Sequence, residues 1–184
     1  MEIDINQQKL ALGEKYRIYT DGRLTHVASQ QAVQFRREVL LLAQDAAPPR
    51  LRLRQQWAWF ALAYDLIRWD RNVFRFRTAS RWTNHYQCVY GQDLYDIYGH
   101  RGTKYSVYRN AAQIAWWDQD RVTWLAGDNF KIWADRDSEA ELLMAFCLIL
   151  DESVSNSDNL NTATVHLGYF GPEAKTFDAS WQPK

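Results

Sequence analysis

The residues best suited to bind a ligand are arginines that alternate with apolar residues in two short segments. Arginine alternates with leucine over residues 50–54 and with phenylalanine over residues 73–77. Successive side chains of a β-strand point to opposite faces, so each segment would present its arginines on one face. Guanidinium groups suit phosphate because they donate paired hydrogen bonds. The sequence therefore predicts an anion-binding face made of Arg50, Arg52, Arg54, Arg75 and Arg77, with Arg71 and Arg81 at its rim.

The charge distribution leaves a second interpretation of these arginines open. The chain has 22 Lys and Arg against 22 Asp and Glu, so the overall charge does not indicate nucleic acid as a partner. Residues 36–81 hold ten basic against four acidic residues, whereas residues 82–184 hold eight against fourteen. The arginines could bind an anionic ligand, or they could pair with acids on neighbouring strands.

Residue types that carry catalysis or bind metals are dispersed along the chain. The four histidines form no His-x-x-x-His spacing and the two cysteines form no Cys-x-x-Cys spacing. No nucleophile elbow, P-loop or dinucleotide-binding glycine motif is present. We therefore expect a protein that is not an enzyme, has no metal site and no cofactor, and keeps its cysteines reduced.

Two other motifs allow both a functional and a structural interpretation. The turn over residues 99–102, Gly-His-Arg-Gly, could bind an anion through its backbone amides, and a plain hairpin turn is the simpler alternative. Acids alternate over residues 135–141, which could suggest calcium. The segment lacks the glycine and the spaced bidentate glutamate of an EF-hand loop, and the capping of a helix explains the same acids.

The elements that must position these residues are short β-strands. Over residues 15–135, apolar or aromatic runs with a period of two are separated by turn residues, among them Asp21 and Gly22. This pattern predicts about twelve strands, including segments 57–69 and 122–126. Short connections favour antiparallel pairing of neighbouring strands.

One segment near the C-terminus has a different pattern. Ser138 and Glu141 have the spacing of a capping box, and residues 142–150 are apolar on every side of a helix. This helix, predicted over residues 138–152, is too short to span a bilayer, so protein must enclose it. A barrel of about twelve strands has an interior too wide for its own side chains to fill. We therefore predict a mainly β fold, a closed antiparallel barrel around a buried helix, in preference to a sandwich with an external helix.

The domain organisation and location follow from the same patterns. Residues 1–153 are predicted to form a single barrel domain with the central helix. Residues 154–184 are predicted to form a loop, polar over residues 153–161, and an arm that packs on the domain. The first residues have no basic and apolar signal segment, and no apolar run reaches the roughly twenty residues of a transmembrane helix. We expect a cytoplasmic protein without a transmembrane segment.

About twelve strands followed by an apolar helix resemble the tubby C-terminal domain, the phospholipid scramblases and the LURP-one-related proteins. The resemblance covers roughly residues 13–153 and looks like the bacterial branch of that superfamily. The resemblance also rests on the sequences of segments 93–102, 104–108, 113–115 and 127–132. The resemblance implies a role in binding phosphoinositides or membranes rather than catalysis. No ligand-binding motif of the family matches this chain, and the cysteine-rich run and C-terminal membrane segment of scramblases are absent.

These observations lead to one functional hypothesis and two alternatives. The first is a non-enzymatic binding module that attaches peripherally to anionic phospholipid headgroups or a membrane surface. The second is a protein–protein interaction or scaffold domain that uses exposed tryptophans. The third is an enzyme whose pocket the sequence does not reveal.

Overall fold

The structure is a computed structural model of the chain, and it describes residues 1–8, 15–33, 36–44, 48–57, 61–80, 82–120, 129–157 and 171–184. These residues form twelve β-strands and one α-helix. The elements are β1 (Glu2–Gln7), β2 (Tyr16–Thr20), β3 (Arg23–Val33), β4 (Arg36–Ala43), β5 (Leu51–Gln55), β6 (Ala63–Arg68), β7 (Val73–Ser80), β8 (His85–Tyr90), β9 (Asp93–Gly99), β10 (Tyr105–Arg109), β11 (Ala112–Asp120), β12 (Asn129–Ala134) and α1 (Ala140–Ser157).

The strands form a closed antiparallel barrel in which each strand pairs with its neighbours in the sequence. The exception is β1, which pairs with β2 on one side and with β12 on the other and so closes the ring. Its register places Ile3 opposite Ile132 and Ile5 opposite Ile18, and all four side chains point into the core. The prediction of a closed barrel of about twelve antiparallel strands is confirmed.

The set of strands differs from the predicted set at two places. Strand β1 was not predicted, although its sequence alternates between polar residues and the buried Ile3 and Ile5. Segment 122–126, predicted as a strand, lies outside the described residues. Segment 57–69 is not one long strand, since β6 begins at Ala63, and Trp57 and Trp69 lie exposed outside it.

Helix α1 is enclosed by the barrel. Residues 142–150 are buried on every side of the helix, and they share one core with inward-facing residues of all twelve strands. The ring of Phe146, for example, lies 5.7 Å from that of Phe76 and 5.9 Å from that of Tyr95. The apolar run therefore fills the interior that the strands leave open. No helix among the described residues has the length and the apolar content needed to cross a membrane.

Both ends of the helix lie further along the chain than predicted. The helix begins at Ala140, where the carbonyl of Glu139 accepts hydrogen bonds from the amides of Leu142 and Leu143. The buried Ser138 hydroxyl has no hydrogen-bond partner among the described residues, so the predicted capping box is wrong. The helix continues to Ser157 instead of ending near residue 152. It does so because the acids that follow the apolar run have polar partners inside the barrel.

The two ends of the barrel can be distinguished by the direction of α1. Because β12 leads into the helix and neighbouring strands are antiparallel, the even-numbered strands end where α1 begins. We call this the lower end. The odd-numbered strands, among them β5 and β7, end at the opposite, upper end, where α1 also ends.

The enclosure of the helix can be tested at Leu148, which is fully buried. Leu148→Asp should prevent folding, because an unpaired carboxylate in an apolar core costs several kcal/mol against a total stability of about 5–15 kcal/mol. Val89→Asp places the same charge on the exposed outer surface of β8 and should remain folded. Circular dichroism and thermal unfolding compare the two. A Leu148→Asp protein with the wild-type melting curve would contradict a helix inside the barrel.

Candidate functional site

The predicted arginines lie on the outer wall formed by β5, β6 and β7. Arg52 and Arg54 belong to β5, Arg75 and Arg77 to β7, and β6 separates the two strands. The alternating apolar residues, such as Leu53, point inward. The wall is therefore cationic on the outside because the two-residue period of the strands sorts the side chains. We call Arg50, Arg52, Arg54, Arg75 and Arg77 the arginine wall.

Carboxylates from the neighbouring strands lie within the arginine wall. The buried Glu38 of β4 accepts a hydrogen bond from Arg54 Nε at 2.7 Å and lies 3.8 Å from Arg52 Nε. Asp65 of β6 is paired in register with both Arg54 and Arg75, and its carboxylate lies 3.3 Å from Arg75 Nε. The acid-pairing interpretation thus accounts for part of this surface.

Arg50 meets a different acid at the lower end of the barrel. Its Nε lies 3.8 Å from the carboxylate of Glu141, which also lies 3.7 Å from His26 Nε2. The imidazole of His26 and then the charge of Arg50 hold the pKa of Glu141 below its ordinary value of 4.5. This cluster joins the first turn of α1 to His26 of β3 and to Arg50, the residue before β5.

The arginine wall keeps a positive charge despite these pairs. Its five guanidinium groups face the three carboxylates of Glu38, Asp65 and Glu141, which leaves a net charge of +2. The side chain of Arg75 is 69% exposed. Arg77 is exposed and has no ion pair with a carboxylate of the described residues. Arg71 lies exposed in the turn between β6 and β7, and Arg81 lies outside the described residues.

Two tryptophans lie at the upper end of the strands that carry the arginines. Trp57 follows β5 by two residues and is 84% exposed, and Trp82 follows β7 by two residues and is 85% exposed. Trp69, 60% exposed, lies at the lower end after β6. Large apolar side chains with this exposure are typical of surfaces that bind a partner when they lie near one another.

A second cluster, which the sequence did not predict, lies inside the upper end of the barrel. Asp151 and Glu152 of α1 are both buried. The Tyr16 hydroxyl donates to Asp151 and lies 3.2 Å from Glu152, Lys15 forms an ion pair with Glu152, and Gln30 Nε2 donates to Glu152 at 2.9 Å. Burial, with the charges of the two acids next, raises the pKa of Tyr16 well above its ordinary range. The phenol therefore stays a hydrogen-bond donor.

A small cavity lies beside this cluster, between α1 and strands β10–β12. Its volume is about 20 Å³, which is room for about one water molecule, and its lining includes Tyr105, Trp117, Cys147 and Asp151. Burial raises the pKa of Cys147 well above its usual range, and the Asp151 charge raises it further. A thiol of this kind is a poor nucleophile, because the thiolate is the reactive form.

The chemistry of the internal cluster is that of an anchor for the end of the helix. Two carboxylates receive hydrogen bonds from a phenol, an ammonium and an amide, so the charge of Lys15 balances one carboxylate and neutral donors help to stabilise the other. Within the part of the chain that the structure describes, no group of three or more His, Cys, Asp and Glu side chains is arranged to hold a metal ion.

Sequence analysis did not predict the internal cluster because its members are far apart in the chain. The predicted helix ended at residue 152 and residues 153–161 were interpreted as an exposed loop, so Asp151 and Glu152 stood at the end of the helix with no partners assigned to them. The signal that could have found them is a pair of acids directly after an apolar helix. Such acids lie at a helix end that the barrel still encloses, so they require polar partners from the strands.

Comparisons of the chain with protein-family models, with curated proteins and with solved structures gave no match. The resemblance to the tubby-like superfamily therefore stays a prediction.

The internal cluster makes the Tyr16 hydroxyl important for stability. Tyr16→Phe should lower the free energy of unfolding by about 1–3 kcal/mol, because it removes a donor from buried carboxylates. Tyr19→Phe, on the same strand, is the matched control, since its hydroxyl has no hydrogen bond among the described residues. Urea denaturation followed by tryptophan fluorescence measures both. Equal loss in the two variants would mean that the hydroxyl does not hold the helix end.

The lowered pKa of Glu141 gives a pH dependence with a defined sign. A carboxylate with a depressed folded pKa contributes stability above its unfolded pKa and loses it as the pH falls. Glu141→Gln should therefore reduce the free energy of unfolding at pH 7, and the difference from wild type should shrink below pH 4.5. Glu139→Gln controls for the loss of one exposed acid nearby. Urea denaturation of both variants and wild type between roughly pH 3 and pH 7 measures these free energies. A difference between wild type and Glu141→Gln that does not change with pH would contradict the prediction.

Proposed function

We propose that the protein is a non-enzymatic binding module for membrane surfaces rich in anionic phospholipid. One observation carries this proposal: the two strands that bear the exposed arginines, β5 and β7, both lead into exposed tryptophans at the same end of the barrel. Cationic and aromatic groups are thereby combined on one contiguous part of the surface.

The two kinds of side chain have complementary roles at a membrane. Arginine donates paired hydrogen bonds to phosphate oxygens, and each basic residue near an anionic surface contributes about 1 kcal/mol. Indole rings favour the boundary between headgroups and acyl chains, because the ring is mostly apolar and its N–H is polar. The upper end would enter the interface through Trp57 and Trp82, while the arginine wall faces the headgroups.

The magnitudes indicate weak, reversible attachment. A net charge of +2 contributes about 2 kcal/mol at an anionic surface. Two large apolar side chains that leave water contribute about 2 kcal/mol each. The sum of about 6 kcal/mol lies between a millimolar and a micromolar dissociation constant. The charge part of this attraction is screened over about 8 Å at physiological ionic strength, so attachment should weaken with salt.

A second candidate is a protein–protein interface on the lower part of the same side of the barrel. Val73 and Val89 are each 55% exposed, and Trp69 is exposed nearby in the turn before β7. An apolar surface of this kind favours a protein partner, whose binding depends little on salt.

Vesicle flotation distinguishes the two candidates. We expect the protein to float with vesicles that contain phosphatidylserine, to ignore purely phosphatidylcholine vesicles, and to dissociate as salt is raised. Arg75→Gln with Arg77→Gln should reduce binding roughly tenfold or more, since each residue contributes about 1 kcal/mol. Replacing Trp57 and Trp82 by alanine should also weaken it.

The matched control removes the same charge from another part of the barrel. Arg17 and Arg23, exposed on β2 and β3, change to glutamine in the control protein. If this protein loses as much binding as the Arg75 and Arg77 variant, net charge rather than the arginine wall drives attachment. If wild type ignores anionic vesicles yet self-associates or retains a protein partner in high salt, the protein-interface candidate replaces the lipid proposal.

A further inference from the structure

Residues 171–184 lie along the outer surface of β9, β10 and β11, with side chains that alternate between barrel and solvent. Glu173, Lys175 and Phe177 are half-buried, whereas residues 172, 174, 176 and 178 are exposed. The segment is not a regular strand, because its backbone bends at residues 174 and 175 and turns at residues 179–180. Because the twelve described strands form a closed ring, they leave no free edge for this segment to pair with. It is held instead by side-chain contacts with the barrel surface and by hydrogen bonds of its last residue. The Arg136 amide donates to the Lys184 carbonyl at 3.1 Å, and the Lys184 amide donates to the Asp135 carboxylate at 2.7 Å.

The first contact is made by Glu173. Its carboxylate accepts a hydrogen bond of 2.6 Å from the backbone amide of Arg101. Arg101 belongs to the turn over residues 99–102 that sequence analysis singled out for its possible binding of an anion. The anion at this turn is thus a carboxylate of the same chain.

The second contact is a cation held by two aromatic rings. The Lys175 ammonium lies 4.0 Å from the centre of the Tyr108 ring and 5.8 Å from that of Tyr98. The two rings are nearly perpendicular, with centres 5.5 Å apart. Such an arrangement attracts a cation through the negative faces of the rings.

The third contact is an aromatic side chain set among other rings. Phe177 lies 5.2 Å from His100 and 5.3 Å from Trp116, and the Lys104 ammonium lies 5.2 Å from its ring. Burial lowers the pKa of His100, which favours a neutral ring against the phenyl group. The other side of His100 is fixed by a hydrogen bond of 2.7 Å between its Nε2 and the Ser106 hydroxyl.

The barrel itself holds these contacting side chains in place. Tyr98 is stacked on His85 at 4.4 Å, and Trp116 is stacked on Trp133 at 4.2 Å. These supporting contacts involve no residue of segment 171–184. The surface is therefore prearranged for its ligand, which lowers the entropic cost of binding.

We propose that this surface is a recognition groove for a peptide with the pattern Glu-x-Lys-x-Phe, and that segment 171–184 is its ligand within the chain. The groove consists of Tyr98, His100, Arg101, Tyr108 and Trp116. The partner that fits it is another protein with a segment of the same pattern. In the intact chain, segment 171–184 occupies the groove and excludes that partner.

The covalent connection makes this exclusion effective. Because the segment belongs to the same chain, it reaches the groove in an intramolecular step, at an effective concentration that micromolar free peptide does not match. A competing peptide at micromolar concentration reaches the groove only after the tether is cut.

The proposal is tested by cutting the connection in the full-length protein. A recognition sequence for a site-specific protease is inserted between Ser157 and Gly171, and a fluorescent peptide that corresponds to residues 171–184 is titrated before and after cleavage. We expect no binding of micromolar peptide to the uncut protein. After cleavage and removal of the released fragment, we expect binding with a micromolar dissociation constant by fluorescence anisotropy.

Peptide variants identify the contacts that give specificity. Phe177→Ala should weaken binding at least tenfold, and Lys175→Ala and Glu173→Ala should weaken it severalfold. Thr176→Ala, at an exposed position between two contacts, is the matched control and should bind as the parent peptide does.

Three results would overturn the proposal. The first is a barrel that loses its circular dichroism spectrum after cleavage, or a fragment that excess peptide cannot replace, since the segment would then be part of the fold. The second is a cleaved, folded protein without its fragment that does not bind the peptide. The third is equal binding of the parent and Phe177→Ala peptides.

Discussion

The structure depends on one constraint, which is that a helix without a polar side must be enclosed. Residues 142–150 of α1 are apolar all round, and side chains of all twelve strands share their core. A barrel of twelve strands is in turn too wide to be filled by its own side chains. Neither the helix nor the barrel can bury its apolar surface without the other. The closure by β1 is part of the same constraint, because an open ring would leave one side of the helix in water.

The end of the helix adds a second constraint, because α1 carries two carboxylates into the enclosed space. Asp151 and Glu152 lie one turn beyond Cys147 and still inside the barrel. Their partners, Lys15, Tyr16 and Gln30, come from the upper part of β2 and β3. A helix rises 1.5 Å per residue, so a slide of one or two residues would separate the carboxylates from these donors. The apolar run requires the helix to lie inside the barrel, and the two acids fix its position along the barrel axis.

Sequence patterns predicted the parts of this architecture that depend on local spacing. Period-two alternation placed Arg52 and Arg75 outside and Leu53 inside, and the all-apolar run predicted an enclosed helix. The features that the sequence did not predict join distant parts of the chain. Strand β1 pairs with β12, which is more than a hundred residues away, and its own six residues give only a weak local signal. The pairing of Glu38 with Arg54, and the polar anchor of α1, likewise depend on a register that local patterns do not contain.

The meander turns an uneven charge distribution in the sequence into an uneven distribution in space. Because successive strands are neighbours, position in the chain becomes position around the barrel. The basic residues 36–81 therefore form one side, β4 to β7, whereas residues 85–134, which include β8 to β12, hold five acidic and five basic residues. An anionic surface would attract the first side and not the second, so a weak encounter would already be oriented. The groove occupied by segment 171–184 lies on β9 to β11, outside the basic side. A ligand bound at the arginine wall would thus not contact the surface that segment 171–184 covers.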